Sequence, residues 1–279
     1  MEPKRPPSET PFTCPLCGGA AGRLLFRYDR PPAGETFFRG ISDGPYERLI
    51  LRCSACGHCI NRHRFDLSRF YEGDYVAGTY ADPAGMVARY RKILSLPPEQ
   101  SDNSQRVQAI TAFWGKRPPG TALDVGSGLA VFPARMREAG WAVTALDPDP
   151  AAAEHARKEA GVEAVAGDWM AVRGIGRFDL ITFNKVLEHV ADPVAMLARA
   201  AGHLNPEGVV YVELPDAEGA APDGPGREEF FIEHHHIFSP RSIRLLGERA
   251  GFTVRSVAQV REPSGKYTLR SFLTQPKRS

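Results

Sequence analysis

From residue 121 onward, short apolar runs alternate with stretches of helical spacing. Strands are expected over 121–125, 141–146, 162–166, 178–183 and 209–214, each a compact apolar run bounded by Gly, Pro, Asp or Asn. Helices are expected over 129–139, 150–160, 193–203 and 242–250, where apolar residues recur on one face. Gly140 and Gly161 follow the first two helices, where the left-handed backbone that ends a helix favours glycine. A loop rich in Gly, Pro and Asp over 217–226 precedes an aromatic and histidine-rich segment over 230–238. Two further strands, near 253–257 and 267–273, are expected to form an antiparallel edge. The alternation is that of βαβ units, so the expected fold class is α/β, a Rossmann-like parallel sheet with an antiparallel edge.

The N-terminal pattern is different. Residues 12–80 hold all five cysteines, several aromatics and short turn-rich segments. Residues 81–118 read as mostly helical, interrupted at Leu96-Pro97-Pro98 and followed by a polar stretch through Gln105. The expected organisation is a disordered tail over 1–11, a small metal-binding module over 12–80, a helical connector over 81–118 and the α/β domain over 119–279.

Composition narrows the function classes. The chain has 279 residues and a formal net charge of +2, with no basic block of the kind that nucleic-acid binders concentrate on one face. No apolar run approaches the roughly 20 residues that a membrane-spanning helix needs, and the Pro-rich, charged N-terminus has no apolar signal-peptide core. A cytoplasmic location is the expectation, and reduced thiols there favour metal binding over disulfides. Cys14-Pro15-Leu16-Cys17-Gly18 and Cys53-Ser54-Ala55-Cys56-Gly57 are two matching Cys-x-x-Cys-Gly knuckles. Each can present two thiolates to one ion, so Cys14, Cys17, Cys53 and Cys56 are expected to form a closed Cys₄ zinc site with a structural role. Free thiols or a redox pair are the alternatives. Cys59 is expected to pack in a core, with His58 and His63 as substitute ligands.

Ligands of open α/β sheets bind beyond the carboxyl ends of the strands. Four features fall there in order. Gly126 and Gly128, with Ser127 between them, follow the first strand, where glycines let a ligand approach the backbone. Asp147-Pro148 ends the second strand, where a carboxylate can accept from both hydroxyls of a ribose, or cap the helix opening at Pro150. Gly167-Asp168-Trp169 follows the third, suited to an adenine amino group with an aromatic cover. Asn184-Lys185-Val186-Leu187-Glu188-His189 follows the fourth, at the mouth where an acceptor would meet the ligand. A nicotinamide dehydrogenase needs Gly-x-Gly-x-x-Gly, and Val131 occupies that third position here.

The segments Ala122-Leu123-Asp124-Val125-Gly126-Ser127-Gly128, Ala145-Leu146-Asp147-Pro148, Gly167-Asp168 and Val186-Leu187-Glu188-His189-Val190-Ala191-Asp192-Pro193 make the chain resemble the class I S-adenosylmethionine-dependent methyltransferases over roughly residues 105–275. The resemblance implies that Asp124 and the Gly126–Gly128 backbone face the amino-acid end of the cofactor. It also implies that Asp147 holds the ribose and that Asp168 with Trp169 holds the adenine. Ala130 departs from the family's pattern, which often has a third glycine there. With the knuckles, the chain is similar to bacterial sugar C-methyltransferases that carry an N-terminal zinc module. In those, tyrosines of a stretch such as Phe70-Tyr71-Glu72-Gly73-Asp74-Tyr75, with Tyr80 behind it, cover the cofactor or reach the substrate, or else pack between domains.

The same family often carries a Glu-His pair before a Phe-Ser-Pro, which here is Glu233-His234 ahead of Phe238-Ser239-Pro240. Methyl transfer requires the acceptor to lose a proton, and a histidine titrates in the right range. His234 is the expected general base, with Glu233 orienting it and His189 a second candidate. A structural hydrogen bond within its helix turn is the alternative role for His189. Three consecutive histidines on extended backbone point to alternate faces, so His234, His235 and His236 are not expected to share one ion. The expected partner is a small-molecule acceptor, sugar-like in the first reading. The alternatives are an RNA methyltransferase gripping nucleic acid through its zinc module, against which the charge argues, and a zinc scaffold with a degenerate cofactor fold.

Overall fold

The structure, a computed structural model, describes residues 11–35, 46–65 and 83–276. Residues 1–10 of the expected tail and the Phe70–Tyr75 and Tyr80 aromatics lie outside the described residues.

Seven strands form the main sheet: β4 (Thr121–Val125), β5 (Ala142–Asp147), β6 (Glu163–Ala166), β7 (Phe178–Asn184), β8 (Leu204–Pro215), β10 (Thr253–Arg261) and β11 (Tyr267–Thr274). Their spatial order is β10-β11-β8-β7-β4-β5-β6. The pairs β4–β5, β4–β7, β5–β6 and β7–β8 are parallel, while β11 runs antiparallel to β8 and β10. The Rossmann-like sheet with an antiparallel edge is therefore present. Chain order reverses at β4, between β5 and β7, and this puts the carboxyl end of β4 at the switch point where such sheets bind ligands.

The central strands read as nearly unbroken apolar runs because both faces are covered. Alternate residues enter opposite cores. Leu123, Ile181 and Val212 join Trp169, Leu197, Phe238 and Leu246 on one face, whereas Ala122, Leu180 and Tyr211 join Tyr90, Ile110, Met136 and Trp141 on the other. On that second face lie α1 (Pro83–Leu94), α2 (Asp102–Trp114) and α3 (Val131–Glu138). The polar stretch before Gln105 is already helix: Ser101 is the N-cap of α2, its side chain accepting from the Ser104 amide at 3.2 Å. Helix-capping propensity outweighed the polar composition that read as a break.

Helix α4 (Pro150–His155) continues into a π turn over Ala156–Ala160 and ends at Gly161, whose φ is +64°. Beyond β7 come a 3₁₀ turn at Leu187–His189 and α5 (Pro193–Ala198), and beyond β8 the short α6 (Ala217–Ala220). Helix α7 (Pro240–Arg249) opens with a capping box between Ser239 and Ser242.

The second sheet is the unexpected part. It pairs β1 (Gly22–Tyr28), β2 (Arg48–Cys53), β3 (Cys59–His63) and β9 (His236–Ile237), all antiparallel. Strand β9 comes from the segment after β8, so the cysteine-bearing sheet is completed by the α/β part of the chain. Arg249 on α7 donates to the Pro15 and Leu16 carbonyls at 2.5 and 2.7 Å, and Ser239 Oγ donates to the Cys56 carbonyl at 2.6 Å. Leu16, Cys14, Cys53 and Cys56 belong to the same apolar core as Phe238 and Ile243. No helix among the described residues is long and apolar enough to cross a membrane.

Candidate functional site

The chain leaves β4 through a left-handed turn at Gly126 (φ +72°) and Gly128 (φ +48°). At Gly126 glycine is needed twice, since a Cβ there would also lie 2.8 Å from Val186 Cγ2. At Gly128 nothing lies within 4 Å of a Cβ position, so open space faces the backbone. Beside it, the buried Ser127 Oγ has no hydrogen-bond partner among the described residues. Ala130, where a third glycine is common, is itself left-handed at φ 54° and 1% exposed. A methyl fits there at a backbone cost of about 1–2 kcal/mol.

Two carboxylates flank the turn. Asp124 is buried, and its Oδ1 accepts from Thr182 Oγ1 at 2.6 Å and Asn184 Nδ2 at 2.8 Å. Burial outweighs these donors and pushes its carboxyl up to about 7. Asn184 Oδ1 is buried without a partner among the described residues, leaving an acceptor beside Asp124. Asp147 accepts from the Gly128 amide at 2.8 Å and the Asp149 amide at 3.0 Å, so it braces the turn against the end of β5. Burial raises its carboxyl too. The cap of α4 is Asp149, which accepts from the Ala151 amide at 2.7 Å, so Asp147 does not serve as that cap. Pro148 is exposed next to it.

At the end of β6, Asp168 is exposed, one oxygen accepting from the Met170 amide at 2.9 Å. Trp169 needs correction as a ligand cover. Its indole is 2% exposed, donates to the Met196 carbonyl at 2.9 Å and meets Phe183 edge-on. A large apolar ring finds more contact in the core than at a strand end, and Met170, 44% exposed, is the apolar side chain left at that surface. Lys185 holds a left-handed backbone at φ 59°, but its Nζ donates to Thr268 Oγ1 at 2.5 Å and lies 3.8 Å from Glu262. Its ammonium is thus committed to a buried network of Arg106, Glu213, Glu262 and Arg270 that joins α2 to β8 and β11. The sequence reading did not anticipate that network, whose members are far apart in the chain.

The three consecutive histidines go to three places, each beside a histidine from another element. His234 meets His189 with ring centroids 4.9 Å apart, His235 stacks on His63 at 6.4 Å, and His236 lies by His58 at 5.2 Å. His58 Nε2 and His236 Nδ1 are 3.0 Å apart, so His58 is turned to a histidine and away from the cysteines. His234 Nδ1 lies 2.9 Å from the Glu229 carbonyl and His189 Nδ1 3.0 Å from the Glu233 carbonyl. A carbonyl can only accept, so each Nδ1 carries the proton and each Nε2 keeps its lone pair. Burial lowers both imidazoles' affinity for a second proton. The main-chain carbonyl of Glu233, a group no residue-type argument would single out, therefore holds His189. Glu188 was also missed as a site residue. It is fully buried, both carboxylate oxygens lack a partner among the described residues, and burial pushes it up to about 8.

Cys14, Cys17, Cys53 and Cys56 converge with all four sulfurs within 4.8 Å of one another, Cys17 and Cys53 at 3.5 Å and Cys14 and Cys56 at 3.6 Å. A tetrahedral ion with metal–sulfur bonds of about 2.3 Å requires sulfurs about 3.8 Å apart, so the donor set fits one. The amide of Gly19 points at Cys17 Sγ from 3.4 Å. Burial works against ionising Cys53, yet the amides of Cys56 and Ala55 outweigh it and bring that thiol down to about 7. Cys59 is buried outside the cluster, its thiol donating to the Gly57 carbonyl.

Comparison with known proteins gives this geometry a family. Residues 99–257 match the model of a methyltransferase domain. The chain is 34% identical over 99 residues to a ubiquinone biosynthesis O-methyltransferase of Caulobacter vibrioides, covering 33% of this chain and 39% of that protein. It is 29% identical over 162 residues to the enzyme so named in Actinobacillus pleuropneumoniae, covering 54% and 64%. The match thus spans less than two thirds of either relative. Among solved structures, 1,6-didemethyltoxoflavin-N1-methyltransferase of Burkholderia thailandensis aligns with a TM-score of 0.54 at 20% identity, covering 88% of this chain and 100% of that one. Magnesium protoporphyrin IX methyltransferase of Synechocystis aligns at 0.56 and 15% identity, covering 75% and 100%. The fold is that of class I methyltransferases, and the chain belongs to the methyltransferase domain family.

Proposed function

We propose that this chain transfers a methyl group from S-adenosylmethionine to a small-molecule acceptor, and that its Cys₄ cluster holds a structural zinc ion. The observation that carries the reading is the turn itself: open space over Gly128, with the unpartnered Ser127 Oγ and Asn184 Oδ1 beside it, at the switch point of the sheet. The cofactor, when bound, supplies a sulfonium-linked methyl group open to in-line displacement.

The remaining work belongs to the protein. Asp124 and Asn184 offer acceptors to a cationic amino-acid end, and a buried carboxyl near 7 gains by receiving a cation. Asp147 has its oxygens oriented by two amides and can accept further bonds from a diol, since each carboxylate oxygen has two lone pairs. Asp168 and Met170 offer a carboxylate and an apolar surface to a purine. The acceptor's proton is handled where His189 and His234 meet, beyond the end of β7.

A sugar or nucleotide-linked sugar is the acceptor that the knuckle pair and the Glu233-His234 sequence favour. The name of the ubiquinone-biosynthesis O-methyltransferases favours a second acceptor class, an oxygen of a ubiquinone precursor. Incubation with methyl-labelled S-adenosylmethionine and both acceptor classes, read by mass, separates them. The expected result is one labelled methyl on a member of one class; labelling of neither class, with RNA labelled instead, would overturn the small-molecule reading.

A further inference from the structure

We propose that Glu35, Arg48 and Asn61 of the N-terminal part are positioning residues for the acceptor site: they grip the main chain on either side of Glu233-His234 and so fix where the His234 imidazole stands. The inference rests on the methyltransferase reading and gives the cysteine-bearing part of the chain a share in its chemistry. Between the 3₁₀ turn Glu228–Phe230 and β9, the backbone forms neither helix nor strand. Its polar groups need other partners, and side chains of the N-terminal part supply them. Arg48 Nη1 donates to the Phe230 carbonyl, and the Ile232 amide donates to Glu35 Oε2 at 2.7 Å. Asn61 Nδ2 donates at 3.1 Å to the Phe231 carbonyl, which also accepts from the His234 amide at 3.1 Å. Past the histidine, the Asn61 amide donates to the His235 carbonyl at 3.1 Å. Glu229, whose carbonyl lies 2.9 Å from His234 Nδ1, directly precedes the gripped Phe230. The frame therefore holds both the ring and the carbonyl that sets its tautomer.

The grip is itself held from several sides. Glu35 and Arg48 pair at 2.8 Å with both side chains fully buried. The guanidinium lies 3.8 Å from the Tyr28 ring centroid, and its Nε donates to Tyr46 Oη at 2.9 Å. Tyr46 Oη in turn donates to Glu35 Oε1 at 2.5 Å. Arg48 Nη1 also donates to Asn61 Oδ1 at 3.4 Å. A guanidinium only donates, so this contact orients the Asn61 amide with Nδ2 toward Phe231. An ion pair buried to this degree is a poor source of stability, because apolar side chains of similar volume often do as well or better. Apolar side chains cannot bond a main-chain amide and carbonyl, however, and that is what this pair does. A reacting group displaced by about 1 Å can lose about 100-fold in rate. An irregular segment that carries the acceptor-side histidine therefore gains from a fixed frame.

The tautomer of His234 and the turnover test the frame together. Full-length protein carrying isotope-labelled histidine nitrogens is studied by NMR at neutral pH, the His234 signals being identified by their loss in His234→Gln. Wild type is expected to show the Nδ1-protonated form at His234. The double variant Glu35→Leu/Arg48→Met is expected to remain folded, because removing both charges together strands neither. Its His234 is expected to shift to the Nε2-protonated form, and its turnover on the acceptor found by methyl labelling to fall about 100-fold. Its S-adenosylmethionine affinity should change by no more than about twofold, since the frame does not touch the cofactor turn. Arg48→Lys keeps the ion pair with Glu35 and is expected to hold the wild-type tautomer, with turnover lowered by no more than about tenfold. Asn61→Leu, which strands no charge, takes the place of the double variant should that fail to fold; it is expected to lower turnover about fivefold through the lost Phe231 bond. A folded variant with the wild-type tautomer or the wild-type turnover would overturn the proposal. Calorimetric binding of S-adenosylmethionine to wild type reports separately on the methyltransferase reading, which survives a failure of the frame.

Discussion

Replacing His234 with alanine is expected to lower methyl-transfer turnover by about 10²–10⁴-fold while changing S-adenosylmethionine affinity by no more than about twofold. The imidazole lies against His189 and is held by the Glu229 carbonyl, whereas the cofactor turn is built from Gly126, Ser127, Gly128 and Asp147. His189→Ala should have a similar effect, because one Nε2 lone pair is lost in either variant. The pH dependence follows from burial, which lowers both imidazoles below their ordinary value. Both are therefore unprotonated at neutral pH. Turnover should hold steady at neutral pH and fall only as pH drops through those lowered values, because protonation removes the lone pair that takes the acceptor's proton. Rates at saturating cofactor and acceptor from pH 5 to 8 check both points (about three pH units around the histidine range). Unchanged turnover in both variants would remove the imidazoles from the chemistry.

The other large effect concerns the cysteines. Changing Cys14 and Cys56 together to serine should abolish one zinc equivalent per chain and cost at least about 5 kcal/mol, since structural zinc contributes about 10–16 kcal/mol of binding energy in small folds. For a chain of this size that corresponds to a fall in Tm of roughly 10–20 °C. The loss should spread. Cys56 accepts from Ser239 Oγ at the start of α7, Pro15 and Leu16 accept from Arg249 at its end, and β3 pairs with β9, two residues beyond His234. Turnover should therefore fall with the metal content. Thermal unfolding with and without a chelator, with zinc measured per chain, decides this. Equal melting and no zinc in wild type would mean that the knuckles hold nothing.

The α/β part was legible because its strands are buried on both faces and its turns are punctuated by Gly, Pro and Asp. The N-terminal strands were not, because β1 is largely exposed, with Leu24 at 55%, and β9 has two residues. Short edge strands carry little alternation to read. The Gly126–Gly128 turn and the Cys₄ grouping were visible as local spacings. Trp169 was misassigned because residue type suggests a stacking surface, while only packing decides which way a ring turns. Glu188 stood inside a segment already singled out, yet its significance depends on burial without a partner, which no single sequence displays. The separation of His234, His235 and His236 onto three partners likewise required tertiary contacts, although extended-backbone alternation already excluded a common ion.

The central claim is that the turn after β4 binds S-adenosylmethionine. Calorimetric titration of wild type and Asp147→Ala with S-adenosylmethionine tests it most directly, because Asp147 both braces Gly128 and faces the proposed diol. The account predicts one equivalent bound by wild type and an affinity at least about tenfold weaker in the variant, the loss of about 1.4 kcal/mol expected from charge-assisted hydrogen bonds. No binding to wild type, or equal binding to both proteins, would contradict it.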